Sequence, residues 1–127
     1  MARRPAAPPV ASYGERQDEA EGEYEWWRVT RDGTGQVIKV EHEIGVRNLD
    51  ERYAEWSVSA SLWQWRPRLK VYQYEWWGDS LYEGKPPERE TKRVPDITDT
   101  VELAERTIAE WTAAAKGGSP AAGPDTD

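Results

Sequence analysis

Apolar and polar residues alternate along most of the middle of the chain. In the run 36–46 one parity consists of Ile38, Val40, His42, Ile44 and Val46, and the other of Lys39, Glu41 and Glu43. Successive side chains of a strand point to opposite faces, so this run is predicted to be a strand with one buried and one solvated face. The runs 23–31, 53–65 and 69–78 alternate in the same way and are predicted to be three more strands.

Turn residues separate the four runs into two pairs. Asp32-Gly33-Thr34-Gly35 follows the first run, and an Asp-Gly dipeptide between two strand patterns is a strong hairpin signal. Arg66-Pro67-Arg68 lies between the third and fourth runs and is typical of a turn. The four strands are therefore predicted to form two hairpins of one antiparallel sheet.

A single amphipathic helix is predicted over residues 99–117. Asp99 is placed to cap its first turn, with Glu102 at the third helical position, and Gly117 ends it. The apolar stripe consists of Val101, Ala104, Ile108 and Trp111, which lie on one helix face. The predicted fold is α+β: a four-stranded antiparallel meander of two hairpins, with one C-terminal helix packed on one face.

The two ends of the chain have a different composition from its middle. Residues 1–21 and 117–127 are rich in Pro, Ala, Gly and acidic residues, and they have little apolar surface to offset the entropy of ordering. They are predicted to be flexible N-terminal and C-terminal tails. A single ββββα domain is expected at 22–116.

Charge and composition narrow the possible chemistry. The net charge is -7 and the sequence pI is about 4.8, which disfavours phosphate backbones and anionic membranes as partners.

The chain has no cysteine, which excludes disulfides and thiolate chemistry. No apolar stretch has the length of a membrane span and no signal peptide is recognised, so a cytoplasmic protein is expected. The excess of Arg over Lys, 12 to 5, favours a GC-rich genome such as that of an actinobacterium or its phage.

The tetrapeptide Tyr-Glu-Trp-Trp occurs twice, at 24–27 and 74–77, each time in a predicted strand. In a strand the Tyr and the first Trp share one face, and the second Trp takes the other. The face covered by the helix is predicted to hold Tyr24, Trp26, Tyr72, Tyr74 and Trp76.

The second Trp of each copy is predicted to contribute to an aromatic binding surface on the other face. Two further indoles follow the parity of the serines in the third strand and are assigned to the same surface. The predicted binding residues are Trp27, Trp63, Trp65, Trp77, Gln73, Arg66 and Arg68. An exposed aromatic patch indicates a docking or self-association surface. The alternative is that this face packs against the loop 79–97 or the N-terminal segment, which would make all eight Trp core residues.

No catalytic constellation can be assembled from the sequence, and the chain is predicted not to be an enzyme. Gly78-Asp79-Ser80-Leu81 resembles the nucleophile motif of the GDSL lipases and esterases, but that family needs a histidine downstream of the serine. The only histidine, His42, lies upstream on an apolar strand face, where a buried, hydrogen-bonded role is expected. Glu41 and Glu43 project away from it, so no metal site and no cofactor are predicted.

The predicted function is that of a non-catalytic protein-interaction module. It binds a protein partner or forms a homo-oligomer through the aromatic binding surface, called the Trp/Ser surface because its indoles share a face with the serines of the third strand. Trp, Tyr and Arg dominate interface energies and are abundant here. One alternative is single-stranded nucleic-acid binding, because the order of four strands and a helix resembles binders of the Pur-alpha and Whirly types, and indoles stack on bases. Another alternative is carbohydrate binding, with indoles stacked on sugar rings.

Overall fold

One antiparallel sheet and one helix form the protein in a computed structural model that describes residues 8–18, 22–48, 55–80 and 88–116. The elements are β1 (Val10–Asp18), β2 (Glu23–Arg31), β3 (Val37–Asn48), β4 (Glu55–Arg66), β5 (Val71–Ser80), β6 (Glu88–Val94) and α1 (Thr98–Lys116). The strands follow one another across the sheet in chain order, and every neighbouring pair is antiparallel. The predicted α+β class, the meander and the C-terminal helix are confirmed, but the sheet has six strands instead of four.

The two strands that the prediction missed are the edge strands. β1 lies in the segment assigned to the N-terminal tail, and β6 lies in the segment assigned to a loop. Most side chains of both strands are exposed, so they show little of the apolar alternation that marks the inner strands. The sheet therefore extends to residue 10, while residues 1–7 and 117–127 of the predicted tails lie outside the described residues.

Asp32 organises the turn between β2 and β3. Its Oδ1 atom accepts hydrogen bonds from the Thr34 hydroxyl at 2.6 Å, the Thr34 N–H at 2.8 Å and the Gln36 N–H at 3.1 Å. The bond from the Thr34 hydroxyl, followed by the backbone bonds, favours the charged carboxylate and lowers the pKa of Asp32. The predicted Asp-Gly hairpin is confirmed.

The first turn of α1 is capped by a different carboxylate from the predicted one. Asp96 Oδ1 accepts hydrogen bonds from the Thr98 N–H at 3.0 Å and from the Thr98 hydroxyl at 2.6 Å. Because the helix already begins at Thr98, Asp99 lies within its first turn, where a negative charge still interacts favourably with the helix dipole. Asp96 therefore takes the capping role that was assigned to Asp99.

The helix lies across β1 and β2. Gly14 permits this close approach, because a β-carbon at that position would lie 3.0 Å from the Ile108 Cα atom. The core between helix and sheet consists of Trp27, Val29, Val37, Val40, Tyr72, Ile97, Ala104 and Ile108. Partly buried against it are Trp63, Trp65, Val94, Val101 and Trp111.

α1 turns one apolar stripe toward the sheet. Ala104 and Ile108 are its buried residues, with Val101 and Trp111 packed beside them, which confirms the predicted stripe. Most of its remaining side chains are exposed. Within the described ranges, no helix has both the length and the apolar character needed to cross a membrane.

A bulge at the start of β3 brings Val37 into the core against the parity of the strand. Thr30 pairs with Lys39 while Arg31 pairs with Val37, so Ile38 is the extra residue. Val37 is buried, and its carbonyl accepts a 2.8 Å hydrogen bond from the hydroxyl of Tyr72 on β5. The alternation of β3 had predicted that Ile38, and not Val37, is the core residue at this end of the strand.

The assignment of the aromatic residues of β2 to the two faces was wrong. Trp27 is a core residue with 6% of its surface exposed, whereas Tyr24 and Trp26 lie on the face away from α1. Arg28 and Thr30 share the parity of Trp26, and their polarity marks that parity as the solvated one. On β5 the predicted side is confirmed, since Tyr72 is buried in the core.

The two indoles of β4 also lie on the helix side of the sheet. Trp63 is directly opposite Tyr74 and Trp65 is opposite Tyr72, with ring centroids 5.0 and 4.9 Å apart. Residues directly opposite each other in an antiparallel pair lie on the same face of the sheet. The turn 67–70 fixes the register of β4 and β5, and the register decides which residues are opposite. The prediction placed these pairs on different faces, so the Trp/Ser surface does not form a free face of the sheet.

Candidate binding site

The face of the sheet that points away from α1 is called the open face below. Within the described part of the chain α1 is the only helix, and it packs on the other face. The strand registers place two rows of side chains across the open face. One row is Glu15, Trp26, Glu43, Ala60, Trp77 and Arg89, and the other is Tyr13, Arg28, Glu41, Leu62, Glu75 and Thr91.

A groove with a volume of about 460 Å³ extends over both rows. Its floor is formed by Ala60 and Leu62 of β4, whose side chains are shorter than those of their neighbours across the sheet. The walls with open-face parity are Trp26, Glu41, Glu43, Glu75, Trp77, Arg89 and Thr91, and His42, Ser61, Trp76 and Glu90 of the other parity also contribute to the lining. The groove is therefore apolar at its floor and both aromatic and acidic at its walls.

Arg28 holds the β2 end of the groove in place. Its guanidinium carbon lies 5.3 Å from the ring centroids of both Tyr13 and Trp26, a cation–π arrangement on two rings. The same side chain approaches Glu41 with an N–O distance of 3.3 Å, and Lys39 lies 4.0 Å from that carboxylate. Trp26 is thus a fixed wall, and the charge of Glu41 is balanced by two cations.

The other two carboxylates of the groove accept hydrogen bonds from neutral donors. The Tyr24 hydroxyl donates to Glu43 at 2.7 Å, and the Gln73 amide donates to Glu75 at 2.8 Å. Burial, together with the bond to Glu43, raises the pKa of Tyr24 to about 12. The phenol ring lies so close to Gly45 that a β-carbon there would overlap it. These bonds fix the carboxylates without neutralising them.

A separate set of polar contacts lies on the helix side. Glu25 accepts a hydrogen bond from Arg16 Nε at 3.0 Å and lies 2.7 Å from His42 Nε2. The imidazole stacks on Trp27 with ring centroids 4.0 Å apart. His42 is therefore half-buried and hydrogen-bonded, with the helix-side parity of its strand partner Trp27. The described residues contain no group of three or more His, Cys, Asp or Glu residues that could hold a metal ion.

A second cleft, with a volume of about 400 Å³, lies between the first turns of α1 and the β2–β3 turn. Two charged residues of this cleft already form an ion pair with each other, since Arg31 Nη2 donates to both carboxylate oxygens of Glu105 at 2.9 and 3.0 Å. The Tyr72 hydroxyl in the same cleft is bonded to the Val37 carbonyl. The groove of the open face is lined by indoles, which the cleft lacks, and it is the stronger candidate.

The structure divides the predicted binding residues between the two faces. The helix side holds Trp27, Trp63 and Trp65, in the core or packed against it. The open face holds Trp77, Gln73 and Arg66, and Arg68 is exposed in the turn between β4 and β5. Of the seven, Trp77 lines the groove. Arg66 donates to Gln73 at 3.1 Å.

Sequence reasoning missed most of the residues that form the groove. Trp26 was assigned to the core, Glu43 was assigned to the solvated face of its strand, and Glu75 was placed on the aromatic surface but not among the predicted binding residues. The polar parity of β3 was a usable signal, because the open face must carry the carboxylates of that strand. Ala60 and Leu62 gave the opposite signal, since an apolar parity normally indicates the core side.

Comparisons with protein-family models, with curated proteins and with solved structures find no significant match for this chain.

Proposed function

We propose that the protein is a non-catalytic binding module that docks a polypeptide segment in the groove of the open face. The observation that carries this proposal is a groove of about 460 Å³ with an apolar floor and an indole on each side. An accessible surface that combines Trp with Arg has the composition of interface hot spots.

The dimensions of the groove suit an extended chain. Trp26 and Trp77 lie in one cross-strand row on β2 and β5, three strand spacings apart. At 4.7–4.9 Å per spacing the two Cα positions are about 14 Å apart, which is the length of about four residues of extended polypeptide. Ala60 lies between them in the same row and leaves the space that the segment would occupy.

The chemistry of the groove favours binding over catalysis. His42, the chain's only histidine, projects to the helix side and is bonded to Glu25 there. Glu43 and Glu75 are each held by a hydrogen bond from a neutral donor. These side chains orient and recognise a ligand, and they provide no nucleophile with an adjacent base.

Filling the groove tests the proposal. Ala60→Trp places an indole on the floor, and we expect it to weaken the binding of groove ligands by at least about tenfold, a loss of ~1.4 kcal/mol. The ligands are peptides selected from a random phage-displayed library on the unmodified protein, and their affinities are measured by fluorescence anisotropy.

Ser57→Trp is the matched control. It adds the same indole to the same strand at an exposed position on the other face, so binding should be retained. Circular dichroism and thermal melting confirm that both variants are folded. If the selected peptides bind Ala60→Trp as tightly as Ser57→Trp, the groove is not the docking site.

The alternative ligands are tested with the same pair of variants. Phosphate is repelled by the groove carboxylates, so an oligothymidylate should not bind even at low salt. Binding of that oligonucleotide, or of a soluble oligosaccharide, that Ala60→Trp abolishes would replace the proposal. Light scattering identifies a second copy of the chain as the ligand if a concentration-dependent dimer is lost in Ala60→Trp.

A further inference from the structure

We infer that the segment bound in the groove is cationic, with Lys or Arg side chains that lie between Glu43 and Glu75. This inference rests on the proposed function and specifies the partner's chemistry. It follows from the charges of the groove, from its shape and from the charge of the whole chain.

Two of the three open-face carboxylates on the groove walls, those of Glu43 and Glu75, lack a salt-bridge partner within the described part of the chain, and Arg89 is a cation of the same walls. Glu41 is matched by Arg28 and Lys39. For Glu43 and Glu75, the described residues provide no cation within ion-pair distance, and the bonds they accept come from neutral groups.

A carboxylate on a sheet face gains from an opposite charge placed across from it or diagonal to it. Glu43 and Glu75 lie on either side of β4, one in each cross-strand row. A cation above Ala60 and Leu62 would therefore lie between them.

The form of the groove also suits a cationic side chain. Lys and Arg have long aliphatic stems that pack on apolar surface while the charged head reaches polar groups. Ala60 and Leu62 offer that surface, and the carboxylates stand beside it. The indoles of Trp26 and Trp77 form the ends, where a cation also gains from the ring faces. A neutral segment would fill the same space without these charged contacts, and an anionic one would meet Arg89 but be repelled by Glu43 and Glu75.

The charge of the whole chain also affects the diffusional encounter with a partner. The chain carries a net charge of -7, so its field attracts cationic partners before contact. This term is not specific to the groove, and the experiment has to separate it from local recognition.

Two labelled nonapeptides serve as probes, one of alternating Lys and Thr and one in which Gln replaces every Lys. We expect the Lys peptide to bind the protein at least about tenfold more tightly than the Gln peptide in fluorescence anisotropy, equivalent to ~1.4 kcal/mol. The Glu43→Gln/Glu75→Gln variant should lose most of that difference.

The matched control removes the same charge elsewhere. Glu102→Gln/Glu110→Gln changes two exposed carboxylates of α1 and leaves the groove intact, with the same net charge as the groove variant. If both double variants weaken Lys-peptide binding equally, the attraction is a property of the whole chain and the inference is wrong. Failure of the Lys peptide to bind the unmodified protein also overturns it.

Failure of the inference and failure of the proposed function give different results. If both nonapeptides bind equally and Ala60→Trp abolishes both, the groove docks polypeptides but does not select for cations. If Ala60→Trp binds the Lys peptide as tightly as Ser57→Trp does, docking in the groove itself is wrong.

A stability measurement tests the charge argument without a ligand. Ala60→Lys places an ammonium group directly across from Glu43, and such a pair is favourable on a sheet face. We expect this variant to melt a few degrees higher than Ala60→Gln, roughly 2–4 °C. A lower melting temperature for Ala60→Lys would show that the groove does not favour a cation.

Discussion

Trp26 and Trp27 are neighbours in one strand, yet they lie on opposite faces of the sheet and have different surroundings. Trp27 is 6% exposed and lies between His42 and Trp63, with ring centroids 4.0 and 6.3 Å away. Trp26 stands on the open face beside Arg28 at the end of the groove. The helix side uses aromatic area for the core, and the open face keeps the same residue type accessible to a ligand.

Removing each indole gives the largest predicted contrast. Trp27→Ala removes a buried ring and should lower the free energy of unfolding by about 3–5 kcal/mol. Trp26→Ala removes a partly exposed ring and its contact with Arg28, so a loss of about 1 kcal/mol is expected. Urea denaturation followed by circular dichroism measures both values. Equal losses would mean that both faces belong to the core and that the open face is not a docking surface.

The close approach of α1 to the sheet gives the next largest effect. Gly14→Ala places a β-carbon 3.0 Å from the Ile108 Cα atom, and this contact should displace the helix and reduce stability by about 1–3 kcal/mol. Ser12→Ala changes an exposed residue two positions earlier on the same face of β1 and should cost less than about 0.5 kcal/mol. If both variants unfold at the same urea concentration, the helix does not depend on Gly14.

Local patterns were sufficient for the inner part of the fold. The alternation of β3, the Asp-Gly turn and the apolar stripe of α1 depend on neighbours in sequence, and each predicted element is present. The edge strands escaped because β1 and β6 are mostly exposed and carry no apolar alternation. Their pairing is visible only when the adjacent strand is known.

The choice of face depends on longer-range information. In β2 both parities contain large rings, and the decisive residues were Arg28 and Thr30, which share the open face with Trp26. In β4 the face is set by the register that places Trp65 opposite Tyr72. A shift of one residue in that register exchanges the two faces.

The groove could not be predicted, because its residues come from several strands. Glu43, Ala60 and Trp77 are distant in sequence, and they become neighbours through two consecutive registers. Of these, Trp77 was among the predicted binding residues. Its predicted face is the correct one, but Trp27, Trp63 and Trp65, which were assigned to the same face, lie on the helix side. Whether it binds a ligand stays a prediction.

A smaller effect tests the helix side beyond the area that α1 covers. Trp76 Nε1 donates a 2.8 Å hydrogen bond to Ser59 Oγ in a partly buried setting. Ser59→Ala leaves that donor without its acceptor and should reduce the free energy of unfolding by about 1 kcal/mol. Ser57→Ala changes an exposed serine of the same parity and should be neutral. Equal stability of the two variants would show that the bond contributes nothing.

The open face should also titrate differently from an ordinary surface. Burial, followed by the bond to Glu43, raises the pKa of Tyr24 from the usual 10.0 of a tyrosine to about 12. The folded protein therefore holds this proton more tightly than the unfolded chain does, so the stabilisation is complete below pH 10 and is lost as the pH rises through about 12.

Tyr24→Phe should reduce the fall in unfolding free energy over that pH range. Glu43→Gln removes the charged acceptor and should lower the pKa of Tyr24, which is measured as phenolate absorbance in a difference spectrum against Tyr24→Phe. An unchanged titration in Glu43→Gln would contradict the role of Glu43. A lowered pKa would show that this carboxylate remains charged beside Tyr24, which is the condition under which a cationic ligand would recognise it.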